Sequence, residues 1–215
     1  MSIAEALSNI QNAIPSNVTL VAVSKTKPLE AIQEAYDLGI RDFGENRVME
    51  MAEKAEALPD DIRWHAIGHL QRNKASVAAP ISSLIHAVDS MRLYNELVKH
   101  SGDHLDVLIQ IHIATEQNKH GFTPDDIKRI VDSGNEFKSP NVKIRGLMGM
   151  ATFTDDHSQV AKEFKGLRSL FDDIAPAMGT DFDTLSMGMS GDWNIAIDNG
   201  STMIRVGSAI FGTRN

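Results

Sequence analysis

VTLVAVSKTKP, residues 18–28, decides how this chain is read. An apolar run rich in β-branched residues describes a strand buried on both faces, as in parallel sheets. The run ends in Ser24, Lys25, Thr26 and Lys27, just before Pro28. An ammonium at the mouth of a buried strand is costly unless it is paired, neutralised or able to reach water. Along an extended chain Val21, Val23 and Lys25 share one face, and Ala22 and Ser24 share the other. If the branched residues fill the inside of a closed sheet, Lys25 stands at the top of that core. There a partly desolvated amine is suited to imine formation. Lys27 shares the parity, but Pro28 restricts its backbone where a helix begins. A lone lysine is weak motif evidence, and snorkelling into water accounts for both side chains as well.

Outward from this strand, the same alternation repeats to the end of the chain. Pro28 opens an amphipathic segment that runs to Gly39, and RDFGEN (41–46) precedes a helical stretch from about Val48 to Leu58. RWHAIG (63–68) precedes a helix over about Asn73 to Ala79, and LIHAVD (84–89) one capped by Ser90. LDVLIQIHIA (105–114) leads to a helix opened by Thr123-Pro124-Asp125-Asp126, and VKIRGLMGMAT (142–152) to a long one over about Ser158 to Met178. DTLSMGMS (183–190), a short helix from Asp192 to Asn199 and TMIRVGSAIFG (202–212) complete the series. Eight strand segments alternating with helices predict an α/β fold, a single (β/α)8 TIM-type barrel formed by one domain over residues 1–215. A six-stranded doubly wound sheet is the alternative, because strands as short as DFGE are easily overcounted.

Composition narrows the functional classes. With 42% hydrophobic and 23% charged residues, the chain has the make-up of an ordinary globular protein. It contains no cysteine, which excludes disulfides, thiolate catalysis and cysteine-held metals and points to the cytoplasm. The opening MSIAEALSNIQNAI has helical spacing and lacks the form of a signal peptide, and no apolar run is long enough to span a membrane. A net charge of −8 argues against extended nucleic-acid binding. His65 and His69 stand four apart across Gly68 in a strand-like pattern, which does not make a helical metal pair, so no metal is expected. No GxSxG or Walker sequence is present.

In such a barrel the site lies at the carboxyl ends of the strands. Ser24 and Lys25, Glu45 and Asn46, His65, Asp89, Asn118 and Lys119, Thr152, Ser186, and Arg205 to Ser208 all fall there. After the last two strands, Ser186, Gly188, Gly191, Gly207 and Ser208 supply hydroxyls and glycines where many barrels bind phosphate. Turn-making alone explains the glycines equally well. A phosphate cradle and an amine on one mouth imply a phosphorylated carbonyl ligand. Arg205 then needs either a partner or a ligand acceptor.

At these residues the chain resembles the YggS/PROSC family of pyridoxal-phosphate-binding proteins, the PLP homeostasis proteins. VAVSKTKP, FGENRVMEM, WHAIGHLQRNK, LSMGMSGD and STMIRVGSAIFG stand in that family's order and spacing over nearly the whole chain. The resemblance implies a barrel similar to the alanine racemase N-terminal domain, with pyridoxal 5'-phosphate (PLP) as cofactor. It implies a Schiff base on Lys25, phosphate contacts from Ser186, Gly207 and Ser208, Arg205 at the pyridine nitrogen, and Asn46 lining the pocket. Ser208 stands where many relatives have threonine, which keeps the hydroxyl. Lys119 matches a transfer-related lysine of some relatives, whereas their lysine-bearing tail is expected to be absent after Asn215. The implied role is PLP homeostasis: holding the cofactor and buffering it or delivering it to apo-PLP enzymes, as a monomer without catalytic turnover. Two observations agree with a carrier. An arginine at the ring nitrogen weakens the electron sink, and the only tyrosines, Tyr36 and Tyr94, fall in predicted helices, leaving no second acid/base for racemisation. A small PLP-dependent amino-acid racemase assisted by a partner chain or by His65, and an aldolase or isomerase using Lys25 on a sugar phosphate, are the alternatives.

Overall fold

The predicted strand segments fold as Thr19–Val23 (β1), Asp42–Glu45 (β2), Arg63–Ala66 (β3), Leu84–Val88 (β4), Leu105–Ile111 (β5), Val142–Gly149 (β6), Thr184–Ser186 (β7) and Met203–Val206 (β8). In the computed structural model, which describes residues 1–116, 120–134 and 137–212, they pair in parallel and in chain order as a closed barrel. Closure is made by β1 on β8, with Val21 opposite Arg205 and Ala22 opposite Val206. That pairing rules out the open six-stranded sheet.

The helices are Ile3–Ala13 (α1), Leu29–Asp37 (α2), Val48–Ala57 (α3), Ala75–Ile81 (α4), Met91–His100 (α5), Pro124–Asp132 (α6), His157–Met178 (α7), Trp193–Asp198 (α8) and Ser208–Phe211 (α9). Ser90 caps α5 as predicted, and Thr123 forms a reciprocal capping box with Asp126 at α6. β5 stops before His112, because the chain beyond it turns back: Phe122 N–H donates to the Gln110 carbonyl and His112 N–H to the Phe122 carbonyl. Among the described residues no helix is long and apolar enough to cross a membrane.

Strand parity divides the core in two. Leu20, Ala22, Phe43, Trp64, Val107, Ile109, Leu147 and Ile204 pack outward against the helices. Val21, Leu84, Leu108, Met148 and Met203 form a smaller cluster inside the barrel. Gly146, at φ +156°, lies against β7 so closely that a Cβ would sit 1.7 Å from the Thr184 carbonyl. It accompanies the register shift between β5 and β6, and no L side chain fits there. The remaining interior volume is polar.

Candidate functional site

β1 ends in a turn that singles out one lysine. Lys27 N–H donates to the Ser24 carbonyl at 3.0 Å, and Thr26 takes φ +63°, an unfavourable conformation for a β-branched residue. The turn is held from outside the barrel. Glu50 accepts the Thr26 amide at 2.6 Å, while Lys54 Nζ donates to the Ser24 carbonyl at 2.9 Å and to Glu45 and Glu50 at 2.7 Å each. The Ser24 hydroxyl donates to Glu45 at 2.6 Å, with both residues buried. Burial pushes the Glu45 carboxyl up, against the hydrogen bonds from Lys54 and Ser24. At Glu50 burial acts in the same sense but is outweighed by Lys54 and the Thr26 amide, so that carboxyl is held below its usual range. Lys27 donates to the Phe211 and Gly212 carbonyls at 2.8 and 3.1 Å, completing the end of α9. Lys25, half-buried, makes no hydrogen bond or ion pair with another described residue. It is the amine left available.

Facing this turn is the start of α9. A Cβ on Gly207 would lie 3.0 Å from the Val23 carbonyl, so glycine lets β8 run on against the end of β1. The Gly207 amide donates to the Ser190 hydroxyl at 3.2 Å, and Ser208 beside it is exposed. Asn46 is exposed at the end of β2. Asp192 accepts the Met189 amide, and burial raises its carboxyl.

Below the mouth, one chain of hydrogen bonds crosses the barrel interior. Arg205, fully buried among polar groups, donates to the Ser186 carbonyl at 3.0 Å, to the Gly149 carbonyl at 3.1 Å and to the Ser186 hydroxyl. Ser186 Oγ lies 3.1 Å from His86 Nδ1, His86 Nε2 lies 2.9 Å from His65 Nδ1, and His65 Nε2 lies 3.0 Å from Asp42. The direction follows from the donors available. Arginine only donates, so the Ser186 hydroxyl passes its own proton to His86. Burial, with repulsion from the Arg205 cation, holds His86 well below the usual histidine range, so it is neutral and donates onward through Nε2. His65 then donates to Asp42, whose other partner is Arg63 at 2.8 and 2.5 Å. Aligned in this way, the dipoles link a buried cation to a carboxylate at the far end of the barrel. Burial brings Arg205 down to about 10, against the attraction of Asp192. Asp42 falls to about 2, because hydrogen bonds from Arg63 and His65 outweigh its burial.

A depressed carboxyl stabilises the fold above its unfolded value and loses that effect as pH falls through the folded one. Asp42→Asn is therefore expected to cost about 2 kcal/mol at neutral pH, from a shift of roughly two units. The gap from wild type should close as pH approaches 2. Denaturant titrations across that range measure it, and a gap independent of pH would contradict it.

The structure brings Lys25, Asn46, Gly207 and Ser208 to the carboxyl ends of the strands, around one mouth. Ser186 and Arg205 lie deeper: Ser186 is opposite Met203 in the ladder, and its hydroxyl is engaged by Arg205 and His86 rather than turned to the mouth. His65, which the sequence places among the polar strand ends, is 3% exposed inside the barrel. Thr152 is bound to Glu163, and Asp89 to His69. Tyr36 lies on α2, bonded to Asp61, and Tyr94 is buried in α5. Asn118 and Lys119 lie outside the described residues. Sequence reasoning passed over Ser190, although its hydroxyl stands two residues after Gly188 in the same motif, and over Lys54, which no local pattern ties to Ser24 or Glu45.

Comparison with known proteins places the barrel in a family. The family model "Alanine racemase, N-terminal domain" matches residues 2–215, which defines the class of barrel. The pyridoxal phosphate homeostasis proteins of Vibrio alginolyticus and Homo sapiens are each 40% identical to the chain. The alignments cover 94% of this chain and 88% of the first, and 91% of this chain and 76% of the second. PipY of Synechococcus elongatus PCC7942, solved with PLP bound, is 36% identical with a TM-score of 0.88, over 98% of this chain and 100% of PipY. The chain belongs to the pyridoxal phosphate homeostasis family.

Proposed function

We propose that this chain holds PLP as a reversible Schiff base on Lys25 and buffers it or delivers it to apo-PLP enzymes, without catalytic turnover of its own. One observation carries the reading: of the three lysines around the β1 turn, Lys27 and Lys54 are committed to carbonyls and carboxylates, whereas Lys25 has no described partner. PLP, when bound, supplies an aldehyde for that amine and a ring that withdraws electrons from whatever is attached. At the start of α9 the exposed Ser208 and the Ser190 hydroxyl, which the Gly207 amide holds in place, offer O–H groups to the phosphate, while Asn46 lines the opening. In this reading Ser186 braces Arg205 from below instead of touching phosphate. Arg205, cationic and unable to accept a proton, keeps the ring nitrogen unprotonated and the electron sink weak. That suits storage better than bond cleavage. An imine also suits release, since a competing amine displaces it by exchange. Residence in the cytoplasm and a monomeric state belong to the same proposal.

Two measurements test it. Incubation of the PLP-loaded protein with single-enantiomer amino acids is expected to give no sustained interconversion; steady turnover would instead establish a racemase. Transfer to an apo-PLP enzyme is then compared with free release. Transfer faster than release supports direct delivery, and equal rates leave buffering alone.

A further inference from the structure

We propose that His69, Asp89 and His120 form a binding site for one divalent transition-metal ion on the rim of the barrel mouth. The three residues come from separate connections, after β3, after β4 and between β5 and α6. Asp89 Oδ2 lies 2.9 Å from His69 Nδ1 and 3.7 Å from His120 Nδ1. The two imidazoles stack with centroids 3.9 Å apart and planes 15° from parallel. One ligand atom from each residue falls within 4.8 Å of the others.

A single metal ion can take one nitrogen from each ring and the carboxylate oxygen together. Tetrahedral ligands roughly 2.0–2.2 Å from one ion stand roughly 3.4 Å apart. The Asp89–His69 pair therefore opens slightly, the Asp89–His120 pair closes slightly, and the rings turn out of their stack to aim both nitrogens at the ion. His69 and His120 are 44% and 59% exposed, free to move, while Asp89 is 10% exposed and oriented. Its second oxygen accepts from the Ser90 hydroxyl at 3.1 Å, the outer-shell bond that fixes a ligating carboxylate. Two imidazoles and one carboxylate favour zinc, cobalt, nickel or copper(II) over magnesium or calcium. Three protein ligands leave a coordination position for water or another small ligand, and the bound ion ties three mouth loops together.

None of the three residues is among those assigned to PLP, and the site is tested without it. The full chain, free of any affinity tag and stripped with chelator, is titrated with Co2+ while its visible ligand-field absorption is followed, and with Zn2+ by calorimetry. One ion per chain is expected, with affinity falling about tenfold or more in each of His69→Ala, His120→Ala and Asp89→Asn. The variants should melt like wild type in chelator, since two of the three side chains are exposed. Mg2+ should leave the melting temperature unchanged. Absence of a Co2+ signal, or an undiminished signal in the His69→Ala/His120→Ala double variant, would overturn the proposal.

Discussion

Replacing Lys25 by alanine is expected to abolish the yellow colour of the PLP-loaded protein and to lower retention of the cofactor by about 100-fold or more, roughly 2.7 kcal/mol. The covalent link needs an uncommitted amine at the mouth, and the neighbouring lysines are not interchangeable with it. Lys27 ends on the α9 carbonyls, so Lys27→Ala should keep the colour and cost about 1 kcal/mol of stability through the lost cap. Lys54 lies on the outer side of the barrel wall, salt-bridged to Glu45 and Glu50. Lys25 itself has no hydrogen bond to a described residue, so Lys25→Ala should fold with little change, within about 0.5 kcal/mol. Absorbance, equilibrium dialysis and denaturant melts on the two variants separate loss of chemistry from loss of structure. Colour retained in Lys25→Ala would contradict the assignment.

Lys54→Met is expected to be the most destabilising single change around the site, by about 3–5 kcal/mol. It removes the one cation shared by two carboxylates, one of which, Glu45, is 1% exposed and already has Oε2 buried without a hydrogen bond. Against a total of about 5–15 kcal/mol that is a large fraction. The pH dependence has a definite sign. Burial raises the Glu45 carboxyl already, and losing Lys54 removes a term that lowered it. A carboxyl raised in the folded state destabilises above its folded value and recovers below it, so the defect should be greatest at neutral pH and shrink in mild acid. Adding Glu45→Gln should restore part of the loss. Retention of PLP should fall too, because the same ammonium fixes the Ser24 carbonyl from which the Lys25 turn springs. A loss under about 1 kcal/mol at neutral pH would show that the network is not buried as described.

How far the chain could be read in advance depended on whether contacts were local. Alternation along TLVAVS, with Val21 and Lys25 on one face and Ser24 on the other, is a period-two property, and the barrel preserves it: Val21 lies inside and Ser24 faces the Glu45–Lys54 pair. Helix starts at Ser90 and Thr123 were legible for the same reason. Depth was not. β7 has three residues, and its register sets Ser186 opposite Met203, one layer beneath Arg205, so a serine that reads as a strand end lies under the mouth. The chain from Arg205 to Asp42 joins β8, β7, β4, β3 and β2 across a closed interior, a set of distances that no local pattern carries. The His69, Asp89 and His120 cluster was hidden likewise, since its members lie on three loops and only closure brings them together.

Reduction of the PLP-loaded protein with borohydride, followed by peptide mass mapping, tests the central claim most directly. The account predicts one phosphopyridoxyl group per chain, on the peptide segment containing Lys25 and at that residue. Label on Lys27 or Lys54, or no stable label at all, would contradict it.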